Sequence, residues 1–341
     1  MLVGVGTAGH HHGEILQGGL RVRGEVVPCL VTMPVGEVGS RVRYVVSDSG
    51  AGVAGVGSGA GAGSKASGAD AGPNAGGVVL ASGHVMASEN VMAAGLDVVP
   101  AWKNKAGRAA GLALAAIGAP VAGRLEIECS VATGVGLGSS TCDVVAAIRA
   151  VCGAHGVELD AGRVAGLAIE AEGAVDPIMF DGEMVLFAQR QGRVLESFGS
   201  WTPRYAVLSI DTDLGGGGID TLSLPMPQYT DADLAAFENM IGRARGAFQR
   251  RDPVTLAAIA TESATLNQRF VPMRKFREIR DLAASYHALG VQISHSGTVA
   301  GILFDARSIG GSDDALVEEV TARVHSLGVR PRGLFISGAE D

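Results

Sequence analysis

The chain has 341 residues, a formal net charge of −8, 47% apolar residues and 18% charged ones. That length fits one large domain or two fused lobes with a sizeable core, and the acidic balance speaks against nucleic acid or an anionic membrane as a partner, since both reward clustered positive charge. Gly or charge interrupts every apolar run before about 18 residues, so no membrane span is expected; the N-terminus shows no basic region followed by a long apolar stretch, and a cytoplasmic protein is expected. Four cysteines, Cys29, Cys129, Cys142 and Cys152, show no Cys-x-x-Cys spacing and read as reduced thiols, not as a zinc site or a disulfide framework.

In chain order, residues 20–46 alternate and are rich in β-branched side chains, which predicts strands. Residues 49–77 are almost wholly Gly, Ala, Ser and Val; such a segment buries too little apolar surface to offset its ordering entropy and reads as a loop or insertion. Helices are predicted over 84–95 and 104–118. Residues 124–131 alternate with period two and give a strand, a Gly-rich loop follows at 133–138, and Ser139 to Cys152 reads as a helix with Val144, Val145, Ile148 and Val151 at helical spacing. Asp160 or Ala161 opens a helix to Glu172. Strands are predicted at 183–189 and 205–211, helices near 231–249, 254–266, 273–289 and 313–327, and a strand–turn–strand at 291–294 and 301–305. This order is not a regular alternation of strand and helix, so the expected class is α+β.

The chemistry concentrates in Thr133-Gly134-Val135-Gly136-Leu137-Gly138-Ser139-Ser140-Thr141. Three glycines in five residues let the backbone approach a ligand closely. The helix that follows presents free N–H groups and the positive end of its dipole, an anion site and most simply a phosphate site. The lysine-containing nucleotide loop is ruled out because no lysine is present, and the dinucleotide fingerprint fails because Ser139 stands where its third Gly belongs. The plain alternative is a strand–helix turn with a Ser cap.

Gly-Leu-Gly-Ser-Ser-Thr resembles the central motif of the GHMP kinases, the galactose, homoserine, mevalonate and phosphomevalonate kinases. Gly9-His10-His11-His12-Gly13-Glu14-Ile15-Leu16-Gln17-Gly18 resembles the first motif of the L-threonine kinase branch, which serves cobalamin side-chain synthesis, with His12 where that branch shows Cys. Ser294-His295-Ser296-Gly297-Thr298-Val299-Ala300-Gly301 resembles its third motif. The resemblance implies a two-lobed GHMP fold: an N-terminal lobe like ribosomal protein S5 domain 2 over 1–195 and a ferredoxin-like C-terminal lobe over 196–341. It implies ATP and Mg²⁺ as cofactors, with phosphates on Gly134, Gly136, Leu137, Gly138, Ser139, Ser140 and Thr141, and metal on Ser140 and Glu170, with Glu172 competing for the latter role. It implies Asp176 as the catalytic aspartate, with Asp181 a weaker rival, and an acceptor pocket of His12, Gly13, Glu14, Gln17, His295, Ser296 and Gly297. Trp102, Lys103 and Asn104 are the positional candidates for adenine. Asp-Pro is a common turn pair, His295 and Glu14 have ordinary structural readings, and three adjacent histidines do not converge on one metal.

Mevalonate-type members assist the aspartate with a lysine from the first motif. No lysine precedes Lys65 here, so either Arg21 or Arg23 substitutes or Asp176 works without a cation. The expected activity is ATP-dependent phosphorylation of the side-chain hydroxyl of a small amino acid, L-threonine first, by a monomer or homodimer. The alternatives are another hydroxylated acceptor, such as serine, homoserine or a specialised metabolite, and a non-catalytic protein of the same fold.

Overall fold

Two unusually long strands carry the architecture. β1 (Val3–Val22) and β2 (Glu25–Val45) pair antiparallel along their length and are joined by a turn at Arg23 and Gly24, both at positive φ. The structure is a computed structural model, and it describes residues 2–47, 95–131, 137–215, 225–295, 297–312 and 314–338. The segment at 49–77, the expected helix at 84–95 apart from its last residue, the loop positions Gly134 and Gly136, and Ser296 lie outside the described residues.

The remaining elements follow as β3 (Leu96–Val99), α1 (Asn104–Ala116), β4 (Gly123–Cys129), α2 (Ser139–Ala154), α3 (Ala161–Glu172), β5 (Met184–Ala188), β6 (Arg193–Gly199), β7 (Tyr205–Asp211), α4 (Asp231–Arg250), α5 (Pro253–Asn267), α6 (Phe276–Ser285), β8 (Gly290–Ile293), β9 (Val299–Asp305), α7 (Ala315–Ser326) and β10 (Arg330–Ile336). The strands form a sheet in the order β10-β7-β9-β8-β1-β2-β4-β3, with β5 branching from β2 and carrying β6. β3 runs parallel to β4; the other pairings are antiparallel. The helices segregate from the strands, as the α+β expectation requires. Among the described residues, no helix is long and apolar enough to cross a membrane.

Among the described residues, three apolar cores hold the layers together. One lies under α1, α2 and α3, around Leu30, Tyr44, Leu125 and Ile148. A second joins β1 and β2 to α4 and α5 through Ile15, Leu16, Met33 and Phe237. A third packs α6 and α7 on β7, β8 and β9 through Ile210, Ile279, Ile293 and Val320. β2 feeds two of these cores from adjacent positions, Leu30 and Val31, because successive side chains on a strand face opposite ways.

Several helix boundaries follow from local chemistry. Asp160 accepts from the Arg163 N–H and opens α3, Thr230 and Asp233 form a capping box on α4, and Asp252 with Pro253 opens α5. α6 is shorter than the predicted 273–289, because Lys275 and His287 both sit at positive φ and break the helix on either side. The strands β1 before residue 20, β3, β6 and β10 escaped the sequence reading. In β1 the cause is its glycines. A Cβ at Gly4 would lie 2.0 Å from the Ala150 carbonyl oxygen, and one at Gly6 would lie 2.2 Å from that of Ala146. Those positions are glycine so that α2 can rest directly on the strand, and the β-branched signature is lost with them.

Candidate active site

The backbone of β1 breaks register between His11 and Glu14. His11 pairs with Pro34 and Glu14 with Thr32, so two residues on β1 stand opposite one on β2. Gly13 takes up the bulge at φ +64. Such a bulge re-aims side chains. His11 and Glu14 would face opposite sides of a regular strand, but here they reach the same site; His12, next to His11, faces the other side as ordinary alternation requires.

Asp176 comes to His11 from the loop after α3, which ends on the left-handed cap Gly173. His11 Nε2 lies 3.0 Å from Asp176 Oδ2, and His11 Nδ1 lies 4.0 Å from Glu14 Oε1. One polar atom of each of the three residues lies within 4.8 Å of the others, and an imidazolium at His11 supplies a cation beside the Asp176 carboxylate. Burial pushes the His11 pKa down, but attraction to Asp176 and the hydrogen bond the ring donates to it, then attraction to Glu14, outweigh this and lift the ring to about 9. Burial pushes Asp176 up, and the His11 charge more than reverses this, leaving the carboxyl below its ordinary value. Glu14 is raised to about 8, mainly by burial.

α2 points its N-terminus at this pair. Its cap, Gly138, has φ +73 and no side chain to offer the first N–H groups. A Cβ there would lie 2.6 Å from the His11 ring and 3.3 Å from Asp176 Oδ2, so glycine is required where the start of α2 meets the His11–Asp176 pair. Leu137 precedes it, Ser139 and Thr141 are buried, and Ser140 is half-buried. Thr141 Oγ1 donates to Glu172 Oε2 at 3.2 Å and lies 3.5 Å from Asp176 Oδ2. Glu172 also accepts from Lys105 Nζ at 3.3 Å. Burial raises its pKa, opposed by Lys105 and by a hydrogen bond from Ser140.

Glu170 does not reach this cluster. It is exposed, because two residues along a helix turn a side chain about 200° around the axis; the carboxylate beside Ser140 is Glu172. His12 is not in the acceptor pocket either. It is buried, Nε2 is 2.8 Å from Ser209 Oγ, Nδ1 contacts the Gln292 amide, and the ring packs 4.8 Å from Phe335. Burial, then the neighbouring His11 charge, pushes its pKa down to about 3.

The cation beside Asp176 is neither Arg21 nor Arg23. Arg21 pairs with Asp231 at the surface, and Arg23 forms the β1–β2 turn. His11 holds that position, and the sequence reading missed it; the signal was Gly13 beside the histidine run, a glycine that permits a bulge. Asp181 pairs with Arg149 at 2.5 Å and does not compete with Asp176.

Gln17 and His295 do come together, Gln17 Oε1 lying 3.2 Å from His295 Nδ1. The electrostatic pull of Asp176 reaches His295, so both belong to the wall beside the dyad. Gly297 turns the third-motif loop at φ +72. Trp102 is exposed with Lys103 Nζ 4.6 Å above its ring, and Asn104 is exposed at the start of α1. Lys103 itself is buried against Asp143, which also accepts from Ser40 at 2.7 Å, so it ties α1 to α2.

Known proteins place these features in context. The family description "GHMP kinases N terminal domain" matches residues 104–181, and "GHMP kinases C terminal" matches 244–329. Over 184 residues the chain is 24% identical to the L-threonine kinase of Salmonella typhimurium, covering 54% of this chain and 60% of that protein. Against the L-threonine kinase of Citrobacter freundii it is 25% identical over 184 residues, 53% of this chain and 62% of the relative. The match thus spans about three-fifths of the curated relatives' length. Among solved structures, homoserine kinase from Cytophaga hutchinsonii superposes with a TM-score of 0.61 at 14% identity, covering 99% of this chain and 95% of the other. The mevalonate kinase of Methanococcus jannaschii superposes with 0.56 at 11% identity over 99% and 98%. These likenesses are of fold.

Proposed function

Because this chain belongs to the GHMP kinase superfamily, we propose that it is an ATP- and Mg²⁺-dependent kinase acting on the side-chain hydroxyl of a small amino acid. The first acceptor is L-threonine, giving O-phospho-L-threonine, the reaction that would place it in cobalamin side-chain synthesis. The acceptor assignment is supported by the L-threonine kinase relatives. The single observation that carries the chemistry is the His11–Asp176 pair at 3.0 Å, set at the N-terminus of α2.

Phosphoryl transfer asks for alignment, charge neutralisation and a destination for the hydroxyl proton. The N–H groups at the start of α2, with Ser139 and Thr141, suit phosphate oxygens. Ser140 and the buried carboxylate of Glu172 fit a hard divalent cation, which prefers oxygen donors; Mg²⁺ bound there would neutralise phosphate charge. Asp176, held ionised by His11, orients the acceptor hydroxyl. As the acceptor oxygen bonds to the γ-phosphorus and the bond to ADP breaks, Asp176 takes the hydroxyl proton. His11 keeps a positive charge beside the carboxylate. Gln17 and His295 wall the acceptor side.

The test is ADP release from MgATP with L-threonine, L-serine, L-homoserine and their D forms, with phosphorus NMR on the product. O-phosphothreonine is expected, and Asp176→Asn should lower turnover about 10³-fold with ATP binding kept. Turnover confined to another acceptor overturns the threonine assignment. ATP binding without turnover of any hydroxylated acceptor overturns the kinase reading in favour of a binding protein.

A further inference from the structure

The His11 ring is contacted from both ends. Nε2 faces Asp176 at 3.0 Å, and Nδ1 faces Glu14 at 4.0 Å. Glu14 is 1% exposed, no side chain among the described residues donates a hydrogen bond to its carboxylate oxygens, and the backbone at His295 is the donor that acts on it. A buried carboxylate with so little hydrogen bonding is costly unless a neighbouring charge compensates it. Among the described residues, the charged groups acting on it are His11 and Asp176. The Gly13 bulge exists at the cost of regular pairing, and its effect is to bring Glu14 to the same imidazole as Asp176.

We propose that Glu14 is a positioning residue for catalysis, the second carboxyl of an Asp176–His11–Glu14 row, whose charge holds the imidazole against Asp176 from its Nδ1 side. The inference rests in part on the kinase reading, but its geometry does not. Glu14 lies on the Nδ1 side of the ring, opposite Asp176 on the Nε2 side, and its attraction adds to that of Asp176 in raising the His11 pKa. Burial is the largest influence on both, and it is opposed at His11 by Asp176 first and Glu14 second. The groups facing His11 are few. From β1 come Glu14, His10 and His12, from the loop after α3 comes Asp176, and from the loop after β8 comes His295. α2 turns the bare backbone of Gly138 toward the ring. The cavity on the other side of His11 is lined by Glu37 and by Arg149, which is already paired with Asp181. Removal of Glu14 therefore takes away the one carboxyl besides Asp176, among the described residues, that the ring responds to.

The experiment is an NMR titration of the His11 imidazole in wild type, Glu14→Gln and Glu14→Asp, alongside kcat and KM across pH. In Glu14→Gln the His11 titration should move to lower pH. The alkaline fall of kcat should move with it, and kcat should drop about 10-fold with acceptor KM unchanged. Glu14→Asp, which keeps the charge, should recover much of both. An unmoved His11 titration in Glu14→Gln overturns the proposal. So does a raised acceptor KM at constant kcat, which would assign Glu14 to contact with the acceptor. The NMR arm needs no acceptor, so absence of turnover with L-threonine would count against the proposed function and leave Glu14 to be judged by the titration.

Discussion

His11 and His12 are the same residue type, adjacent on one strand and both buried, and they end in opposite electrostatic states. His11 meets two carboxylates and is raised to about 9. His12 meets a hydroxyl, an amide and a phenyl ring and is pushed down to about 3. Burial acts the same way on both rings. The difference is the partner on each side of the strand: alternation sends the two adjacent rings to opposite faces, and the bulge at Gly13 brings Glu14 round to the His11 side. One face of β1 gathers charged partners around His11, and the opposite face joins β7 and β8 through hydrogen bonds of His12 and β10 through ring packing on Phe335.

The comparison breaks most visibly in the rate. His11→Gln should lower kcat about 100-fold, the scale of losing one preorganised electrostatic contact, and ATP affinity should stay constant. Equal rates for wild type and His11→Gln, measured by ADP release, would place His11 outside the mechanism.

A smaller effect is expected in stability on the other face. His12→Ala strands the Ser209 hydroxyl and the Gln292 amide and should cost about 2 kcal/mol in denaturant unfolding. The pH signatures should be opposite. His11 has a folded-state pKa above the ordinary 6.5, so its stabilisation is complete below 6.5 and is lost as pH rises through about 9. His12 has a depressed folded-state pKa, so its stabilisation is present above 6.5 and is lost as pH falls toward about 3. Unfolding curves should show a weaker alkaline decline in His11→Gln and a weaker acid decline in His12→Ala. Identical pH profiles for the two variants would dissolve the contrast.

The smallest expected effect concerns two carboxylates on one helix. Glu172→Gln should raise the Mg²⁺ concentration needed for half-maximal rate about 10-fold, and Glu170→Gln should leave it unchanged. A Mg²⁺ titration of both variants decides the pair, and a response to Glu170 alone would move the metal shell.

The sequence conveyed much of this because some of its signals are local. The helix at 139–154 declared itself through Val144, Val145, Ile148 and Val151, and α3 through Asp160 at its start and its helical spacing. Asp176 and the loop leading to Ser139 were legible as a motif. The first 19 residues were harder to read. The glycines that admit α2 erased the strand pattern of β1, so the bulge, the reach of His11 and the inward turn of Glu14 were hidden together. Glu172 was preferred over Glu170 only once the orientation of α3 against α2 was known.

By itself the sequence determined the fold class, the family likeness and the identity of the loop–helix unit, because propensity, periodicity and motif spacing act over a few residues. The tertiary structure alone decided which histidine is charged, which carboxylate stands beside Ser140, and that Asp176 has a cationic partner. Those outcomes depend on contacts between residues as far apart as 11 and 176, and on a register shift that reverses which face of a strand a side chain occupies.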